Sequence, residues 1–128
     1  MLQRPDAFNA QCPTRQVLDR IGDKWAVLIL ILLGEGTLRF NELRRRIDNI
    51  SQKMLSQTLR SLERDGLISR EAFPTVPVTV EYSLTDLGRT LAATVNELTR
   101  WAETHIGEVE EAQRRYDRGL PRPASSPR

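Results

Sequence analysis

The sequence predicts a mainly α-helical fold with one small β-hairpin, and three observations carry that reading. An amphipathic helix with marked ends, Ser51 to Gly66, follows a shorter helix across about three turn residues. Directly after Gly66 the apolar period changes from helical to alternating. Two seven-residue apolar repeats then run between Asp86 and Asp117. Together they describe a winged helix-turn-helix followed by a long C-terminal dimerisation helix.

Length and composition set the frame. A chain of 128 residues fits one domain, with 39% hydrophobic residues to fold it and 28% charged residues to keep its surface in water. The longest apolar run, Trp25 to Leu33, is nine residues, about half of what a membrane span needs. The N-terminus has no apolar signal core, so a cytoplasmic protein without membrane contact is expected. The one cysteine, Cys12, excludes an intrachain disulfide framework and a Cys-rich zinc site. The one histidine, His105, leaves too few partners for a metal cluster or a Ser-His-Asp triad. With no Gly-rich phosphate loop either, the expectation is no metal, no cofactor and no enzyme.

The elements follow in order. Residues 1–11 carry no pattern and read as a flexible arm. Cys12-Pro13 opens a helix near Thr14, with Val17, Leu18 and Ile21 on its apolar side. Gly22-Asp23 breaks it. Lys24 to Leu33 is apolar nearly all round, which periodicity cannot sort into helix or strand. Its length and leucine content favour a buried central helix, with Gly34 as its stop. Thr37-Leu38-Arg39 is extended. Asn41 is the expected N-cap of a helix reaching Ile47, with Phe40, Leu43 and Ile47 inward and Arg44, Arg45 and Arg46 largely outward. Asp48-Asn49 turns the chain.

Ser51 then caps the organising helix through its hydroxyl, and Ile50 and Leu55 can close a hydrophobic staple across the cap. Leu55, Leu59 and Leu62 share the inner face; Lys53, Gln57, Arg60 and Arg64 share the outer one. Gly66 suits the left-handed residue that ends a helix. Leu67–Phe73 and Thr79–Leu84 are the strands of the wing, with Pro74 and Pro77 holding the loop out of both. Thr85 caps a helix from Asp86 to about Asp117. Leu91, Leu98, His105 and Ala112 recur along it, as do Val95, Ala102, Val109 and Tyr116, with Trp101 beside them. Two stripes exceed what one small domain covers, which predicts a partner helix and a homodimer. The interface expected is Val17, Leu18, Leu91, Val95, Leu98, Trp101, Ala102, His105 and Val109. Residues 118–128 read as a disordered tail.

Charge points to the partner. From Arg39 to Arg70 eight basic residues face four acidic ones, a local +4, whereas from Asp86 to Asp117 seven acidic residues face four basic ones, a local −3. A basic middle fits a polyanion. On double-stranded DNA, Lys53, Gln57 and Arg60 would read base edges, with Gln52 and Ser56 alongside. Ser51 and Asn41 would hold the backbone, and Arg39, Arg44, Arg45 and Arg64 would add contacts to phosphates. The role expected is a repressor or activator acting at a promoter. The alternative is a winged helix used for protein–protein contact.

These pieces resemble the HxlR-type family of bacterial winged-helix transcriptional regulators, relatives of the MarR group. The resemblance lies in Cys12-Pro13, Ile21-Gly22-Asp23-Lys24-Trp25, Leu38-Arg39-Phe40-Asn41-Glu42-Leu43, Ile50-Ser51-Gln52-Lys53-Met54-Leu55, Leu62-Glu63-Arg64-Asp65-Gly66-Leu67-Ile68 and Val80-Glu81-Tyr82-Ser83-Leu84-Thr85. It covers roughly residues 12 to 105 in order. It implies a homodimer, formed by the N- and C-terminal helices, on a palindromic operator, and it makes Trp25–Leu33 a helix. Some members sense oxidants, quinones or aldehydes through a cysteine at the position of Cys12. The competing input is a non-redox small-molecule effector at the dimer interface. One departure is local: the family carries two prolines and then a basic residue at the wing tip, whereas here Pro77 precedes Val78 and Thr79. The wing's phosphate contact therefore moves to Arg39 or Arg70.

Overall fold

The structure, a computed structural model, describes residues 8, 9 and 11–121. Residues 1–7 and 10 of the predicted arm, and 122–128 of the predicted tail, lie outside the described residues. The chain divides into two compact units, Met1–Val95 and Asn96–Arg128.

In the first unit, α1 (Pro13–Gly22) begins with a proline whose missing N–H falls where helices have no intrahelical acceptor, and Cys12 is its N-cap residue. The Asp23 carboxylate accepts from the N–H groups of Trp25 and Ala26 and so starts α2 (Lys24–Glu35). The apolar run is thus the central helix, burying Ala26, Ile29, Leu30 and Leu33. Gly34 does not stop it. The helix runs through Gly34 to Glu35, and Gly36 closes it by donating to the Leu33 carbonyl. One interior glycine costs a helix about 1 kcal/mol against alanine, which the burial of its neighbours outweighs.

A second correction follows at β1 (Leu38–Arg39) and α3 (Phe40–Arg46). Asn41 lies inside α3 and is not its cap. The pairing of Leu38 with Tyr82 and of Arg39 with Glu81 holds the chain extended through Arg39. Arg39 becomes the N-cap residue, its own N–H donating to the Glu42 carboxylate at 2.9 Å. Asn49 takes the turn with φ +68, a conformation asparagine tolerates well.

α4 (Gln52–Arg64) starts as its sequence predicts, the Ser51 hydroxyl accepting from Met54 N–H at 3.0 Å. It buries Leu55, Thr58, Leu59 and Leu62, and the Thr58 hydroxyl donates to the Met54 carbonyl. Gly66, at φ +77, ends the turn after it, and Leu67 N–H returns to the Leu62 carbonyl. β2 (Ile68–Phe73) and β3 (Thr79–Leu84) form the antiparallel wing, with Ile68 opposite Leu84 and Phe73 opposite Thr79. β3 is the middle strand of a three-stranded sheet, ordered β1-β3-β2. Thr85 then joins two elements: its hydroxyl donates to the Gly66 carbonyl and accepts from Gly88 N–H, opening α5 (Asp86–Asp117).

The core of this unit gathers Ile29, Leu30, Leu43, Leu55, Leu59, Leu62, Ile68 and Val95, all fully buried or nearly so. Val95 corrects the predicted interface. It is 0% exposed within its own chain and has no surface left for a partner.

The second unit is the rest of α5 and its end. Glu97 pairs with Arg100 and Glu111 with Arg114, one helical turn apart. The His105 ring stacks on Trp101 at 4.6 Å, and its Nδ1 lies 2.9 Å from the Trp101 carbonyl oxygen. The predicted tail is ordered at its start. Gly119, at φ +72, donates to the Tyr116 carbonyl, Leu120 to that of Arg115, and the Arg115 guanidinium to that of Pro121. The bonds to Tyr116 and Arg115 satisfy carbonyls that every helix end leaves open. Among the described residues no helix is long and apolar enough to cross a membrane.

Candidate nucleic-acid interface

The outer face of α4 is the centre of the site. Gln52, Lys53, Gln57, Arg60 and Arg64 are exposed on it, with Ser56 half-buried. The face exists because the leucines at positions 55, 59 and 62 turn the other side into the core. α3 and its following turn hold the start of α4, and Arg44 and Arg45 stand exposed on α3. Asn41 is exposed there too, free of the capping duty predicted for it. The Ser51 hydroxyl is occupied by its cap, which leaves its role one of fixing the helix start.

The basic residues differ in whether a carboxylate pairs with them. Arg15, Arg20, Arg89, Arg100 and Arg114 each pair with a carboxylate. Arg44, Arg45, Lys53, Arg60, Arg64 and Arg70 pair with none among the described residues. Arg46 is tied to Glu35 at 3.1 Å, and Arg39 lies 4.0 Å from Glu81, so the two ends of α3 are less available.

A polar groove of about 390 Å³ runs between α4 and the wing, lined by Ser56, Leu59, Arg60, Glu63, Arg70 and Tyr82. It brings Ser56 and Arg60 of α4 together with Arg70 of β2, which the sequence places on a separate element. It also adds Glu63 and Tyr82, which sequence reasoning missed. The alternation of β3 marks Tyr82 as a core residue, and only its pairing with Arg70 shows that it shares a sheet face with that arginine. Met54, partly exposed beside Lys53, is a second omission; its apolar side chain on a polar face was the available signal. At the wing tip Val76 and Val78 are exposed, and the Thr75 hydroxyl bonds within the loop to the Pro77 carbonyl and to Thr79.

Cys12 lies elsewhere, half-buried before α1. Near it a cleft of about 480 Å³ opens, with Val17, Leu67, Leu87 and Leu91 among its apolar lining. There the Arg20 guanidinium donates to the carboxylate of Asp65, the C-cap residue of α4. Among the described residues no group of three or more His, Cys, Asp or Glu side chains is placed to hold a metal ion.

This arrangement, a helix-turn-helix with a wing and an unpaired basic face, has known counterparts. The profile of the HxlR-like helix-turn-helix family matches residues 20–110. The chain belongs to the HxlR-like helix-turn-helix family. The HTH-type transcriptional regulator YtfH of Escherichia coli (strain K12) is 48% identical over 108 residues, covering 84% of this chain and 86% of that protein. The solved structure of the transcriptional regulator ytfH from Salmonella typhimurium superposes with a TM-score of 0.82 at 43% identity, covering 88% of this chain and all of that one. The redox regulator HypR in its reduced form is similar at TM-score 0.72 and 42% identity, over 77% of this chain and 98% of that one. The HxlR-like chain is therefore a winged-helix member of a group of HTH-type transcriptional regulators.

Proposed function

We propose that this HxlR-like protein binds double-stranded DNA sequence-specifically, as a homodimer on a palindromic operator. The observation that carries the reading is the set of basic side chains on α3, α4 and β2 that pair with no described carboxylate. Phosphates can engage them without breaking an existing ion pair. Gln52, Lys53, Ser56 and Gln57, on the first half of α4, sit where recognition helices meet base edges. Arg39, Asn41, Arg44, Arg45 and Arg64 flank them as backbone contacts, and Ser51 fixes the helix start. Dimerisation is supported by apolar side chains exposed on the monomer: Val17 and Leu18 in α1, and Leu98, Trp101 and Val109 in α5.

The input we propose is oxidation or alkylation of the Cys12 thiol, supported by its position before α1 and by the similarity to a redox regulator. With one cysteine per chain, oxidation would end in a disulfide between subunits, a mixed disulfide or a sulfenic acid. A second input, a non-redox ligand, is favoured by the cleft beside α1.

A gel shift on the DNA upstream of the protein's own coding sequence tests both levels. Saturable, salt-sensitive binding is expected. A mild oxidant or quinone should change it in the wild type and leave it unchanged in Cys12→Ser. Binding that ignores oxidant in both proteins would remove Cys12 from the mechanism. No specific binding to any duplex would favour a protein-interaction role for the wing.

A further inference from the structure

We infer that Arg60 and Arg70 grip one and the same backbone phosphate, in the groove between α4 and the wing, and that Glu63 limits the charge of that site. This rests on the DNA-binding reading above, and it moves Arg60 from base reading to backbone clamping.

The placement comes first. Ser56, Arg60 and Glu63 are spaced four and three residues apart, so they share one strip of α4. Arg70 stands opposite Tyr82 in the wing ladder, and paired residues point to the same side of a sheet. The two strips meet in one groove of about 390 Å³. Its floor is Leu59 and Tyr82, both buried, so an anion inside it is partly removed from water and attracted more strongly. Ser56 adds a hydroxyl donor.

Position along the helix points the same way. Arg60 stands about 12 Å along the axis from Gln52, at 1.5 Å per residue. Base edges are read mainly by the first residues of a recognition helix. A side chain two turns further on, beside the wing, is placed at the wall of the groove, where the phosphates lie. This also answers the missing basic residue at the wing tip, where Val78 and Thr79 stand. The wing contributes its cation from the strand and not from the loop.

Charge agrees with one phosphate. Two guanidiniums and the Glu63 carboxylate give the groove a net +1, which matches one phosphodiester. Without Glu63 it would carry +2 and hold any polyanion more tightly.

The test uses the full-length protein, an operator obtained by selection from random duplexes, and a scrambled duplex of equal length. Affinity is measured against salt for the wild type, R60A, R70A, R60A/R70A and E63Q. Loss of one shared phosphate in each half-site lowers the slope of log K against log salt for the dimer in the double variant by about 1.8, about 0.9 per subunit. The fold-loss should be the same on both duplexes, and E63Q should tighten binding to both. A fall of about 3.6 for the dimer would mean two separate phosphates in each half-site and overturn the clamp. An unchanged slope, a loss confined to the operator with altered base preference, or weaker binding by E63Q would overturn it as well. Salt-sensitive binding by the wild type keeps these outcomes separate from failure of the DNA-binding reading. A wild type that binds neither duplex overturns that reading and the clamp with it.

Discussion

A methyl group added at Gly88 and one added at Gly107 should have opposite effects, although both glycines lie inside α5. At Gly88 a Cβ would collide with the backbone carbonyl of Leu67, which no rotamer change can relieve. Gly88 allows α5 to close against the chain leaving α4, where Thr85 bridges the Gly66 carbonyl and Gly88 N–H. Gly88→Ala should therefore cost about 1–3 kcal/mol, the range for overpacked sites. At Gly107 a Cβ meets nothing within 4 Å. Gly107→Ala should stabilise by about 0.5–1 kcal/mol through helix propensity. Denaturant melts of the two variants at one protein concentration check both signs. Equal effects would mean that the approach of Gly88 to Leu67 is not tight in solution. Ser51 makes the same kind of local contribution, since a lost N-cap costs about 1 kcal/mol.

Among the elements, α4 has two working halves in the proposed reading. Its inner leucines are common to both, while its outer residues differ along its length. Gln52, Lys53, Ser56 and Gln57 occupy the first two turns, and Arg60, Glu63 and Arg64 the last two. Gln57 is an exposed amide able to form paired hydrogen bonds with adenine. Gln57→Ala is expected to lose about 1–3 kcal/mol on the operator and to relax preference at one base pair of each half-site. The check is competition against a panel of operators substituted one pair at a time. A loss shared equally by every duplex would assign Gln57 to the backbone. At the wing tip the Thr75 hydroxyl bonds to the Pro77 carbonyl and to the Thr79 hydroxyl, and these residues offer no cation.

For the whole molecule, the proposed pairing of two copies rests on exposed apolar surface. The exposed apolar side chains named above are large for a monomer's surface: Trp101 is 58% exposed and Leu98 52%. Leu98→Asp is expected to shift the protein toward monomer in sedimentation velocity, with the helical content of the first unit kept. Operator affinity should fall by at least tenfold, because one half-site loses the gain from its tethered neighbour. A Leu98→Asp protein that stays dimeric would exclude this stretch of α5 from the interface.

What the sequence determined by itself was everything set by neighbours a few residues apart. Ser51 announces its helix because its capping hydroxyl and the N–H partner lie three residues apart. Gly66 marks its turn because few other residues accept its φ. The leucine spacing of α4 and the alternation of β3 name their buried faces, and the ordered motifs from Cys12 to Thr85 resemble the family that the comparison then matched. Tertiary structure decided what depends on distant partners. Arg39 displaced Asn41 as cap because β1 pairs with a strand more than forty residues later. Gly34 stayed helical because Leu30 and Leu33, just before it in α2, are buried in the core. Val95 went to its own core, although its heptad position fits a partner equally well, since a periodic stripe says that a face is apolar and not what covers it. The groove of Arg60, Glu63 and Arg70 belongs to that second class: no spacing in the chain links positions 60 and 70, and only the folding of the wing against α4 brings their charges together.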